Sequence, residues 1–366
     1  MGKIVSDKFT VSPIHLFFVV YVSIVDVGIM SFQREIVKDA GTDSWLSIVI
    51  VGISVHVLVW MIFRILSAQK PENADIVSIN RSYFGKVIGT SLNIAIVIYL
   101  VAGAFVSFRS YLEVVKIWIF PMMNMWPLSL LLLGLIYYTV SGGFQTIVGI
   151  CLWSFFSILF FFVPLPLLVT DYLHPRNLFP LFDHSAMQIL HSTHRMAFHY
   201  LGFETLLIVY PFIQEQAKSR KWAHLGVLSA TLMYLMLLFI AMMYFSQGQL
   251  LRTIWPSLNL ISMLEIPLMQ RLEYFILSVW LIKILANISL SLWAACHSLK
   301  LSFRVKPRVS LIVMLALFVL LQWFIGNQEE ITRATTIYSN IGLYFIYIFI
   351  PIVFVITWLK KKVISL

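Results

Sequence analysis

Apolar residues run along this chain in blocks of about 20, separated by short stretches rich in Lys, Arg, Pro and Gly. A helix of that length crosses the ~30 Å hydrocarbon layer of a bilayer. Ten blocks lie near 11–32, 45–66, 87–108, 126–144, 147–170, 196–213, 222–245, 272–297, 309–326 and 337–358. The fourth and fifth are separated by Ser141, Gly142 and Gly143, which predicts a tight hairpin. Three connections carry patterns of their own. Residues 73–86 mix apolar and polar positions and predict a short amphipathic helix along the membrane face. Residues 171–195 contain Pro175 and Pro180, then a short helix from Ser185. Residues 248–270 hold Trp255-Pro256 and Pro267 in a long loop. Long structured loops serve as lids or binding surfaces, and a packed cover is the alternative.

The sixth block departs most from a plain span. His199, Gly202 and Glu204 open it and Pro211 follows. A glycine beside a carboxylate in a spanning segment predicts a helix that opens partway. Such backbone survives at membrane depth only where protein or a watery cavity covers it, and interrupted helices mark the midplane site of many transporters. The alternative is a helix whose outer turn lies in the interface.

Composition supports the bilayer reading. Of 366 residues, 60% are hydrophobic and 11% charged, against about 25% charged in a soluble domain. A single all-α transmembrane domain over 1–366 is expected. The net charge of +10 is spread over short loops, so it reports topology rather than nucleic-acid binding. Assigning alternate connections to two sides puts sixteen Lys and Arg on the side of the termini, among them Lys3, Lys8 and Lys360–Lys362, and nine on the other. The positive-inside rule places both termini in the cytoplasm. Cys151 and Cys296 both lie in apolar blocks and imply no disulfide framework. No cleavable signal peptide is evident, and the first block is expected to remain as a span.

A few polar residues lie deep in these blocks. Asp26 is about ten residues, or ~15 Å, from the start of the first. With Gly28, Ile29 and Ser31 it predicts a second broken helix, a polar patch between helices being the alternative. Lys283 lies near the middle of the eighth block, where an unpaired charge costs at least about 2.5–3.5 kcal/mol. It should pair across the core with Asp26, or else sit neutral in a small wet pocket. Arg109 and Glu113, four apart, are expected to form a local pair. Tyr99 and Gly103 share a helical face, and Gly103 would admit a close helix or ligand. His191, His194 and His199 lack a completing Cys or carboxylate at metal-ligand spacing, so no metal is expected. No nucleotide, dinucleotide, hydrolase or zinc-protease motif is present, so neither an enzyme nor a cofactor is expected.

The order and spacing of several short motifs resemble the spore germination permeases, the integral B subunits of nutrient germinant receptors, within the amino acid–polyamine–organocation transporter superfamily. The motifs are Tyr200-Leu201-Gly202-Phe203-Glu204 with Pro211 and a basic loop; Asn177-Leu178-Phe179-Pro180; Ile254-Trp255-Pro256-Ser257; and Arg271-Leu272-Glu273-Tyr274-Phe275 leading into Val279-Trp280. The resemblance implies two inverted five-helix repeats, about 11–170 and 196–358, with spans one and six broken around a central site. It also implies sensing of a small nutrient, usually an amino acid, in the spore inner membrane. The implied partners are a membrane-anchored A subunit and a lipoprotein C subunit.

Two departures from the family pattern stand out. The Gly-x-Gly of span one reads Asp26-Val27-Gly28, with Gln33 at the proline position, and Lys283 replaces a neutral residue. In transporters of this architecture spans one and eight often supply a sodium site. A fixed ammonium would oppose a cation there, so no sodium requirement is expected. The expected ligand site is formed by Asp26, Gly28, Ile29, Tyr99, Gly103, Leu201, Gly202, Phe203, Glu204, Lys283 and Asn287. Phe203 and Leu201 would frame the ligand's side chain. The freed end of span one would meet a carboxylate, and the Asp26–Lys283 pair would hold a zwitterion's ends or lock the core. Besides a sensor, a transporter of an amino acid or amine, coupled to protons through Glu204 or Asp26, and a ligand-free scaffold subunit remain as readings.

Overall fold

In a computed structural model, which describes residues 9–264 and 271–364, the chain is helical throughout. Of the features read from sequence, Lys3, Lys8 and Pro267 lie outside the described residues. The helices are α1 (His15–Ile24), α2 (Phe32–Ala40), α3 (Ser44–Ser67), α4 (Ile76–Trp118), α5 (Trp126–Ser141), α6 (Phe144–Phe162), α7 (Ala186–Phe198) and α8 (Phe203–Phe212). They continue with α9 (Gln216–Tyr244), α10 (Gln247–Arg252), α11 (Pro256–Ser262), α12 (Leu272–Phe303), α13 (Pro307–Phe324), α14 (Gln328–Tyr344) and α15 (Ile350–Ile364). A π-turn over Phe345–Phe349 joins the last two into one rod. Among the described residues seven helices are long and apolar enough to cross a membrane. Three shorter apolar ones, His15–Ile24, Trp126–Ser141 and Phe203–Phe212, fall in blocks one, four and six.

Local sequence explains most helix ends. Ser185, Ser246 and Asn327 each cap a helix in a reciprocal box with a Gln or Glu three residues on, which satisfies amides with no partner inside the helix. Asp75 accepts from the Ser78 amide at the start of α4. The predicted α5–α6 hairpin forms at Gly142-Gly143, where Gly143 has φ +85°. Gly85, at φ +76°, bends α4 and sets residues 76–84 apart from the span, as the amphipathic pattern predicts. Asn93 braces that bend by accepting from Asn80 Nδ2 (2.9 Å) and donating to the Val77 carbonyl (3.1 Å).

Both predicted interruptions occur. Span one leaves α1 at Val25 and is extended at Asp26 (φ −128°, ψ −167°). It then makes a 3-10 turn over Val27–Met30 before α2. Span six is broken at Gly202, whose φ of +121° is open to glycine but strained for other residues. One boundary needs correction. Span six does not start at 196: its outer half is α7, starting at Ala186. That half carries His191, His194 and Arg195, so its hydropathy is too low to mark a span.

α12 runs through the centre of the bundle, packed on α4 and α6, while α1 packs on α9 and α2 on α7. At the end nearest the termini the chain is sewn shut. The Val11 amide donates to the Phe212 carbonyl and the Gln214 amide donates to the Val11 carbonyl, both at 2.9 Å. Gln145 and Gln214 add side-chain bonds to Thr10 at 2.9 and 3.0 Å. At the opposite end Asp43 accepts from the amides of Phe182 (2.6 Å), Asp183 (2.9 Å) and His184 (3.0 Å), pinning the 171–195 connection to the start of α3.

Candidate ligand site between the two interrupted helices

A cavity of ≈ 700 Å³ lies between the two breaks, within the size range of small-molecule sites. Its mouth, on the side away from the termini, carries Arg34, Glu35, Lys38 and Arg195, and its floor carries Ser23, Asp26 and Glu204. The mouth is held by ties between outer segments. Glu35 pairs with His199 at 3.2 Å and Asp39 pairs with Arg195, joining α2 to α7. Arg34 Nε donates to the Leu251 carbonyl (2.9 Å). The described part of the loop predicted over 248–270 carries α10 and α11 and fastens to the first break. Ser257 donates to the Ile29 carbonyl (3.2 Å), and Gln33 donates to Ser257 (2.7 Å).

Lys283 is buried, with Nζ 3.6 Å from Asp26 Oδ1. This is the cross-core pair expected from sequence, with Ser107 as an added donor to Asp26 Oδ2. Asp26 keeps 30% of its side chain exposed and borders the cavity, whereas Lys283 stands behind it in the wall at 1%. Glu204 is arranged otherwise. Tyr99 donates to Oε1 at 2.5 Å and the Gly202 amide donates to Oε2 at 2.8 Å, so both oxygens have partners. Tyr338 stacks on Tyr99 and donates to its hydroxyl at 3.3 Å. Tyr234 joins the two breaks, its hydroxyl lying 2.8 Å from the His199 carbonyl and 3.3 Å from that of Ile24.

Of the residues expected at the site, Asp26, Gly28, Gly103, Leu201, Gly202, Glu204 and Asn287 border the cavity. Ile29, Tyr99, Phe203 and Lys283 do not. Phe203 is fully buried in the core, so it does not frame the cavity; the turn that carries Glu204 toward Tyr99 carries Phe203 into the packing. Ile29 is likewise core, contributing only its carbonyl to Ser257. The glycines are close-approach positions. A Cβ on Gly28 would lie 2.5 Å from His199 Nδ1, one on Gly103 would lie 2.6 Å from the Tyr338 hydroxyl, and one on Gly202 would overlap the Ser23 carbonyl. Arg109 and Glu113 remain near enough to attract each other, but the hydrogen bonds of Arg109 go to the carbonyls of Ile325 (3.0 Å) and Gly326 (3.5 Å) at the end of α13. Sequence reasoning missed Ser107, Tyr234, Tyr338 and the Thr-rich face of α14, single hydroxyls with no motif around them.

Known proteins match this architecture. The family described as "Spore germination protein" matches residues 10–331. The chain belongs to the spore germination permease family. The permease is 35% identical over 362 residues to spore germination protein GerQB of Bacillus cereus, covering 98% of this chain and 99% of that one. It is 24% identical to spore germination protein YndE of Bacillus subtilis (strain 168), over 91% and 93% of the two chains. Among solved structures it is similar to a nucleobase-cation-symport-1 family transporter in a closed conformation with bromovinylhydantoin bound. There the TM-score is 0.63 at 13% identity, over 92% of this chain and 79% of that one. A Na⁺-coupled sialic acid symporter, in a substrate-bound outward-open state, matches with TM-score 0.63 at 11% identity, over 98% and 79%. The permease is therefore a multi-pass membrane protein with the fold of secondary transporters.

Proposed function

We propose that the permease is the membrane subunit of a spore nutrient germinant receptor. A small nutrient, of the amino-acid class, binds in the cavity between the two breaks and its binding triggers germination. The observation that carries this reading is a cavity that reaches both interrupted helices from one side while hydrogen bonds among Val11, Phe212 and Gln214 close the other. A ligand that binds one arrangement of the bundle better than another shifts the equilibrium between them. A membrane-anchored A subunit and a lipoprotein C subunit would read that shift in the spore inner membrane, with the termini in the cytoplasm. Residues of about 11–170 and 196–358 would be the two inverted repeats. The test is nutrient-triggered germination of spores whose only copy carries Gly28→Trp, which fills the cavity beside His199. Loss of the response at normal protein level supports the reading, and an unchanged nutrient dose response rejects it.

The second reading is a working transporter, favoured by the two transporter structures this fold resembles. Lys283 places an ammonium beside Asp26, so such a transporter would run without sodium. Net uptake of radiolabelled amino acids by reconstituted vesicles, with and without sodium, separates it from a sensor that moves nothing.

A further inference from the structure

Spans two and ten lie side by side, and the seam between them runs from apolar to basic. Ser54 on α3 shares a hydrogen bond with the Tyr347 hydroxyl (2.7 Å), and further along the Trp60 and Phe354 rings meet at 5.3 Å. Beside these ties α3 exposes Ile50, Ile53 and Val57, spaced three and four apart on one face. The rod of span ten exposes Ile348, Ile352 and Val355 in the same way. Stripes of this kind are as apolar as the lipid tails they meet.

At the end nearest the termini the stripes give way to cations. Arg64, one turn beyond Trp60, lays its guanidinium 5.5 Å over that ring. Lys361, two turns beyond Phe354, returns to the face of α15 that carries that ring. Lys360 Nζ sits 4.1 Å over the Tyr83 ring and donates to the Ser82 carbonyl (3.4 Å), while the Tyr83 hydroxyl accepts from Gln69, just past α3 (2.7 Å). The interfacial segment 76–84 thereby closes the end of the seam. Among the described residues none of these three cations forms an ion pair.

We propose that this seam binds an anionic phospholipid of the leaflet on the side of the termini, with the phosphate between Arg64 and Lys361 and an acyl chain along the exposed stripes. A guanidinium offers a phosphate two parallel N–H donors, and each cation near an anionic headgroup strengthens the attraction about fivefold. The ring beneath Arg64 and the two contacts of Lys360 restrict those side chains before a lipid arrives, which lowers the ordering cost. A soluble anion gains the charge contact without the stripes, and a zwitterionic lipid gains the stripes with its phosphate already neutralised. The lipid would fasten span ten to span two and to segment 76–84, whether or not the central cavity takes a nutrient.

Detergent-solubilised permease is titrated with dioleoylphosphatidylglycerol or dioleoylphosphatidylcholine, and bound lipid is counted by native mass spectrometry. The phosphatidylglycerol is expected to bind about tenfold more tightly. Arg64→Gln with Lys361→Gln should abolish that preference. Lys306→Gln with Arg308→Gln, which removes the same charge from exposed positions on the same side, should preserve it. Equal binding of the two lipids overturns the proposal. So does equal loss from the two double variants, because the general field of the basic side then suffices. Displacement of phosphatidylglycerol by inorganic phosphate at equal concentration overturns it too, because a soluble anion then suffices. Should Arg64→Gln with Lys361→Gln fail to fold, Val57→Cys carrying a benzophenone maleimide reads the same site. Val57 is exposed and the native Cys151 and Cys296 are buried. Photocapture of phosphatidylglycerol over phosphatidylcholine in mixed nanodiscs is expected, and capture without preference overturns the proposal.

Discussion

The two interrupted helices each bring a carboxylate to the same floor, and they use it differently. At the second break Glu204 is spent internally: Tyr99 and the Gly202 amide hold its two oxygens, and its exposure is 2%. At the first break Asp26 is held from behind by Lys283 and from the side by Ser107, with 30% of its side chain facing the cavity. The comparison separates a carboxylate that fixes the shape of a site from one that meets what enters it. Depth in the membrane and a neighbouring glycine are shared by both, so neither identifies the ligand-facing group. Exposure of the carboxylate to the cavity does.

The largest effect that bears on this contrast is expected at the second break itself. Gly202→Ala requires a positive φ of a residue with a Cβ, and that Cβ would overlap the Ser23 carbonyl. It should cost about 3 kcal/mol or more, read as loss of monodisperse protein on size exclusion. Asp26→Ala comes next. It strands the buried Lys283 ammonium, and about 2–3 kcal/mol is expected, below the figure for a fully buried pair because Asp26 is partly exposed. Lys283→Met should cost less than half of that, since Asp26 keeps Ser107 and the cavity. Thermal unfolding midpoints that rank the two the other way would break the picture of Asp26 as the exposed partner.

Glu204→Ala should cost about 2 kcal/mol by leaving the Tyr99 hydroxyl and Gly202 amide unpaired, and Glu204→Gln should recover part of it. In protein that remains folded, Glu204→Gln is expected to leave the nutrient dose response nearer to that of the unaltered protein than Asp26→Asn does. An equal loss from both would erase the distinction between the two breaks. The smallest effect is expected at the seal. Gln145→Ala with Gln214→Ala removes two side-chain bonds to Thr10, about 1 kcal/mol, and should speed hydrogen exchange at the Val11 and residue-214 amides that close this end.

How much of this was legible in the sequence follows from what each feature depends on. The blocks, the hairpin at Gly142-Gly143, the bend near Gly85 and the break at Gly202 are local, written in hydropathy and glycine placement. The Asp26–Lys283 pair was also legible, although 257 positions separate its members, because a lone lysine at membrane depth demands a partner and few carboxylates are available. The Tyr99–Glu204 bond and the position of Phe203 were not. They depend on how a 3-10 turn rotates after Gly202, which periodicity does not encode. The helix from Ser185 was legible from its cap, but not its place as the outer half of span six, because it carries His191, His194 and Arg195 where a span is expected to be apolar. Arg109 found backbone carbonyls at the end of α13, a partner that no side-chain pattern announces.

The Tyr234 hydroxyl, placed between the Ile24 and His199 carbonyls, has a consequence for signalling. One oxygen atom makes the two flexible joints of the bundle a single hinge pin, carried by α9. Neither joint can swing far without dragging the other or letting go of the pin. A molecule that leans on the first joint is thereby felt at the second, and the helix carrying the pin is the natural lever through which that push would leave the core.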